Sequence, residues 1–121
     1  MAQGKIFTKE NADELYGPVI DSVEIKTTDL MKMMDSTKTN IMFRVENSKM
    51  NILGDNRKPL LQEFAVKSSQ VYHLFLKSIT LELLNLGGND ITYIEKRECV
   101  LSVTNGNYTM EISLPCPPYC N

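Results

Sequence analysis

The chain has 121 residues, 42% hydrophobic and 23% charged, which sizes it for one domain with a core of its own. Collagen, wholesale disorder and a coiled coil are excluded by that composition. The net charge of −2 disfavours general attraction to DNA or anionic membrane, which relies on clustered lysine and arginine.

Residues 1–10 lack the apolar run of a signal peptide, and no stretch approaches the ~20 apolar residues of a membrane helix. Three cysteines without an export signal predict reduced thiols in a cytoplasmic protein.

Thr8 and Glu10 predict the start of a short helix that runs to Tyr16 and stops at Gly17-Pro18. Val19, Ile20, Val23 and Ile25 predict a first strand, with Asp21-Ser22 interrupting the alternation. Thr28 is the expected cap of a second helix, with Asp29 in its first turn and Leu30, Met33 and Met34 on one face. That helix ends near Ser36-Thr37. From Asn40 the period becomes two: Ile41, Phe43 and Val45 alternate with Met42, Arg44 and Glu46, as in a half-buried strand. A turn at 47–49 leads to a return strand ending at Gly54, and residues 60–66 predict another strand after Pro59.

Residues 71–76 read as a strand, followed by a helix capped by Ser78 and stopped by Gly87-Gly88. A rival reading makes 69–86 one helix, because Val71, Phe75, Ile79 and Leu83 fall at four-residue spacing. Ile91, Tyr93 and Glu95 begin another strand. Asn105-Gly106 between alternating runs predicts a tight hairpin turn, and Pro115, Pro117 and Pro118 end the sheet.

A shift of fifty residues superposes the halves. Ile25 meets Phe75, Thr28 meets Ser78, Met33-Met34 meets Leu83-Leu84, Ile41 meets Ile91 and Phe43 meets Tyr93. The expected fold is α+β: a tandem β-α-β-β-β repeat (17–68 and 69–115, then a tail at 116–121). It places two short helices on a largely antiparallel sheet and adds a short N-terminal helix.

No catalytic residue, metal or cofactor is expected. His73, the only histidine, has no recognisable triad partner and reads as a strand residue with a satisfied hydrogen bond. Cys116 and Cys120 could join Cys99 and His73 at zinc, or form a redox pair, but the spacing is not that of a knuckle. A packed or loose tail is the default. Residues 54–59 suggest a polar loop able to touch an anion, although a solvated hairpin turn is the simpler expectation. Met31 and Met42 fall off the predicted buried faces and are the candidates for a partner surface.

The tandem plan resembles one domain of a DNA sliding clamp. The resemblance is carried by Lys77-Ser78, Leu81-Glu82-Leu83-Leu84, Gly87-Gly88, the run from Asp90 to Ile94, Glu98 to Val103, and Gly106 to Pro115. It implies a ring module with helices facing DNA, where Lys26, Lys32, Lys38 and Lys77 are the candidate contacts, and edge strands that pair between copies. A homo-oligomer without a membrane is therefore expected, with a protein partner. The helices themselves are poor in charge: Asp29 and Asp35 offset Lys32 and Lys38, and only Glu82 is charged between 78 and 88. That pattern gives DNA no electrostatic support. The alternative is a stand-alone α+β protein of another fold that binds a small ligand or peptide.

Overall fold

Strands of ten short segments divide between two five-stranded sheets, each antiparallel throughout, in the computed structural model, which describes residues 4–98 and 100–116. In chain order they are β1 (Lys5–Thr8), α1 (Lys9–Tyr16), β2 (Asp21–Lys26), α2 (Thr27–Met34), β3 (Asn40–Glu46), β4 (Lys49–Leu53) and β5 (Pro59–Leu61). Then come β6 (Tyr72–Leu76), α3 (Lys77–Gly87), β7 (Ile91–Lys96), β8 (Leu101–Asn105), β9 (Tyr108–Glu111) and β10 (Leu114–Cys116). The first sheet has the order β1-β9-β8-β7-β2 and the second β10-β6-β3-β4-β5. The mixed helical and antiparallel architecture is α+β.

Helices α2 and α3 fill the space between the inner faces. Leu30, Met34, Leu83 and Leu84 pack with Phe43, Ile52, Phe75, Ile94, Val103 and Met110 in one core. Phe43 and Phe75 meet edge to face at 6.1 Å between ring centroids. Residues 71–76 are thus strand followed by helix, and a continuous helix over 69–86 is not formed.

Several local expectations change. β2 begins at Asp21 rather than Val19. Asp21 does not interrupt the alternation, because its carboxylate accepts Ser48 N at 2.9 Å and Ser48 Oγ at 2.8 Å across the seam between sheets. Those bonds hold its pKa below the usual carboxylate value.

Thr28 and Ser78 are not caps. The helices start two residues earlier than those caps would set them, and Lys26 and Leu76 occupy the cap positions without side-chain bonds. Tertiary carbonyls do the work instead: Thr27 N donates to Asp90 O and Lys77 N to Thr39 O, both at 2.8 Å. Thr8 does cap α1, accepting Asn11 N at 3.3 Å, and Gly88 ends α3 at φ 62°. The β8–β9 hairpin turns at Gly106-Asn107, with Asn105 still in register opposite Tyr108. Gly106 supplies the positive φ there, 59°.

The strand expected over 60–66 stops at Leu61. Beyond it the chain crosses the outer face of the second sheet. Asn51 fastens it, accepting Glu63 N at 2.7 Å and Phe64 N at 3.2 Å and donating to Phe64 O at 3.0 Å. Arg57 donates to Lys67 O and Gln70 O while lying 4.9 Å from the Tyr72 ring centroid. Beneath this strap a second apolar cluster forms from Met42, Leu53, Tyr72, Leu74 and Cys116. The sheet is therefore buried on both faces, not the one that alternation implied.

The loop at 54–59 serves the fold. Asp55 accepts the N–H groups of Lys38, Thr39 and Asn40 at 2.9, 3.2 and 2.8 Å. Burial alone would raise its pKa, but these donors outweigh burial and lower it. A lowered folded pKa gives stability present above the unfolded value of 3.8 and lost as pH falls through the folded value. Asp55→Asn is accordingly expected to flatten the acid limb of a stability–pH curve measured by urea unfolding. An unchanged acid limb would refute this role.

Candidate functional site

The four candidate lysines divide: Lys38 neighbours Lys77, which bonds the carbonyls of Thr37 and Thr39, and Lys26 stands apart. Lys26 ends β2, beside Asp90, whereas Lys77 opens α3 at the opposite end of the helix pair, where its Nζ donates to Thr37 O at 2.9 Å. Lys32 is exposed on α2 and Lys38 lies in the loop held by Asp55. Exposed Asp29, Asp35 and Glu82 stand among them. Met42, expected at a partner surface, is fully buried under the strap, and Met31 is half-buried against the main core.

His73 Nδ1 lies 3.1 Å from Ser113 Oγ, and burial, with Arg44 and Lys96 nearby, lowers its pKa. Cys116 is disulfide-bonded, which overturns the expectation of reduced thiols and with it the argument for a reducing compartment. Cys99 and Cys120 lie outside the described residues. Among the described residues, no group of three or more His, Cys, Asp or Glu could hold a metal, and no helix is long and apolar enough to cross a membrane.

The polar layer on the outer face of the first sheet leaves no motif or periodic signal along the chain. Antiparallel partners share a face, so Glu95, Ser102, Thr104, Thr109 and Glu111 stand together there. Arg97, 1% exposed, lies among them. Its Nε donates to Ser102 Oγ at 2.8 Å and sits 3.5 Å from Glu111 Oε2. Its Nη1 reaches Asp13 Oδ1 at 3.0 Å and the Gly17 carbonyl, which clasps α1 to the sheet. Ser102 Oγ donates to Glu111, Thr104 Oγ1 donates to Glu95, and Lys9 Nζ lies 3.5 Å from Glu95 Oε2. Burial pushes Glu111 from 4.5 up to about 7, helped by the Glu95 charge and opposed by Ser102, Arg97 and Lys9. Arg97 Nη2 and Glu111 Oε1 find no partner among the described residues. Both residues are sealed from solvent, so the cluster fastens α1 and offers no face to a substrate.

What the first sheet does offer is an edge. Thr27 N bonds Asp90 O one step beyond the pair Lys26↔Ile91. The odd-numbered amides of β2 therefore face β7, and those of Ser22, Glu24 and Lys26 point away from the sheet. These three residues are exposed. Ile20 (61% exposed) precedes the edge, and Tyr93 (39%) stands beside Glu24 on β7. The second sheet has poorer edges: β5 has three residues and begins with Pro59, and β10 holds Pro115.

No protein-family model matches the chain, and no curated protein or solved structure matches it either.

Proposed function

We propose that the chain is a non-enzymatic module with the plan of one sliding-clamp domain, acting by self-assembly through strand edges and by binding protein. The observation that carries this reading is a reciprocal exchange of strands. Two β-α-β-β-β segments follow one another, β2 to β5 and β6 to β9. Each gives its first strand to the other's sheet, since β2 pairs β7 and β6 pairs β3. Helix starts Thr27 and Lys77 fall at corresponding places, preceded by near-equal backbone angles: −62°, 131° at Lys26 and −71°, 135° at Leu76. A duplicated unit explains why each helix takes its first acceptor from the other half.

Assembly follows from the six-residue edge of β2, whose outward amides and carbonyls are a template for another strand. Charge favours a protein partner over DNA, because the lysines stand among carboxylates. Light scattering after size exclusion, over a wide concentration range, tests the reading. A mass that rises above 13.7 kDa with concentration is expected. Glu24→Pro removes an outward donor without touching the β7 ladder, and it should restore the single-chain mass with little change in melting temperature. A mass fixed at one chain throughout would end the assembly reading. Binding to duplex that steepens as salt is lowered would instead bring DNA back.

A further inference from the structure

Strand β1 lies at the opposite edge of the first sheet from β2, and its open side faces a groove of about 550 Å³. One wall is β1 itself, with Asn11 of α1 beyond it; the other is Ile79, Glu82 and Leu86, one stripe of α3. Lys9 N bonds Asn107 O in continuation of the β1–β9 register. The amides of Lys5 and Phe7 thus face β9, and the amides of Ile6 and Thr8 and the carbonyl of Ile6 point away from it, on the open side of β1, while the carbonyl of Thr8 is taken by the first turn of α1. Strand and helix touch at one end, where a methyl on Gly4 would come within 3.2 Å of Ile79 Cγ2. At the other end Leu86 is 50% exposed.

We propose that this groove binds an extended peptide of a partner protein, added as a sixth strand beside β1, with a basic side chain on Glu82 and an apolar one on Leu86. This site is separate from the β2 edge and does not depend on the assembly reading. A free strand edge facing a helix supplies both parts of strand-addition recognition: main-chain bonds from one wall and side-chain selection from the other. The dimensions agree. Ile79 to Leu86 rises ~10 Å along the helix, and four strand residues span ~13 Å.

Charge decides the chemistry of the occupant. Among the described residues Glu82 has no ion pair, and it is exposed on the helical wall. A carboxylate facing an empty strand position favours lysine or arginine there. Glu82 and Leu86 lie four helical residues apart, a rise of ~6 Å, which matches the ~6.8 Å between alternate residues of a strand. The peptide therefore carries its basic and apolar anchors two positions apart. The residue between them turns to the outer face, beside Lys5 and Phe7.

A display library of random ten-residue peptides, selected against the intact chain, tests this. Expected is an enriched basic–x–apolar pattern, in either direction. Amide shifts on adding the enriched peptide should centre on Ile6, Thr8 and the α3 residues 79–86. Glu82→Lys should weaken that peptide by about tenfold or more, and a fresh selection should then enrich an acidic residue in its place. Glu82→Gln, which keeps shape and solubility, should simply lose the basic preference. No enriched pattern, shifts that avoid the groove, or an unchanged preference in both variants would overturn the proposal. So would a concentration-dependent mass that Glu82→Lys abolishes, since a second copy would then be the occupant.

Discussion

Arg97→Met is expected to cost about 3 kcal/mol of unfolding free energy at pH 8 and about 2 kcal/mol at pH 5. The loss at pH 8 comes from what remains. Arg97 is the cation closest to Glu111, at 3.5 Å, and both side chains are fully buried. Methionine fills similar volume and leaves Glu111, among the described residues, with Ser102 as its one close partner, so ionising it in the sheet costs more. At pH 5 the carboxyl holds its proton and the missing charge matters little. What is then lost is the clasp on Asp13 and the Gly17 carbonyl.

The sign follows from linkage. Glu111 titrates at about 7 in the fold against 4.5 for the free group, so the native state binds more protons between those values. Its contribution is most favourable below 4.5 and declines as pH rises through about 7. Raising a carboxyl that far is worth about 3 kcal/mol at 1.36 kcal/mol per pKa unit. Without Arg97 the proton is held to still higher pH, and the variant's stability falls more steeply. His73, with a lowered pKa, slopes the other way near 6.5, but it does so in parent and variant alike and cancels in the difference. Urea unfolding at the two pH values, with m-values compared, reads the result. Equal losses at pH 5 and pH 8 would show that Arg97 acts by packing alone. Adding Glu111→Gln to Arg97→Met should remove the extra pH dependence.

Signals that depend on neighbours in sequence survived folding, and signals that depend on tertiary partners did not. Gly88 and Thr8 punctuate their helices as their chemistry demands, because the backbone angle of one and the hydroxyl of the other are local properties. Thr28 and Ser78 failed as caps because carbonyls sixty-three and thirty-eight residues away replaced them. Alternation places Met42 on an open face because it reports only one covered side; the strap over the other is held by Asn51 and Arg57, whose side chains give no periodic signal. The β2 strand was legible, but its standing as an open edge was not, since an edge is defined by the absence of a second neighbour. Glu95, Ser102, Thr104 and Glu111 share one face of neighbouring strands, and nothing local to them reveals that they are buried. The groove on β1 combines residues 4–11 with residues 79–108, a juxtaposition that only topology supplies.

Asn105→Ala is expected to cost about 2–4 kcal/mol, more than a strand residue next to a turn would suggest. Asn105 is fully buried at the meeting point of both helices. Its Oδ1 accepts Asn89 N at 2.9 Å, and its Nδ2 donates to Asn89 O at 3.1 Å, Thr92 Oγ1 at 2.9 Å and Thr27 Oγ1 at 3.2 Å. Thr27 opens α2, and Asn89 follows the end of α3, so one side chain ties the two halves. Gly87 is shaped to it: a Cβ there would overlap Asn105 Oδ1 and its main-chain carbonyl. Truncation removes one acceptor and three donor contacts from a site that is closed to water. Asn105→Asp keeps the shape and the acceptor for Asn89 N, but it turns an oxygen toward three other oxygens. It should therefore be at least as damaging at pH 7 and recover partly when acid protonates it. Amide exchange separates a tie between halves from a local defect. If Asn105 joins them, Thr27 and Lys77 amides both lose protection in Asn105→Ala, although Lys77 lies at the far end of α3. Loss confined to Thr27, with Lys77 protected as in the parent, would reduce Asn105 to a local cap on α2.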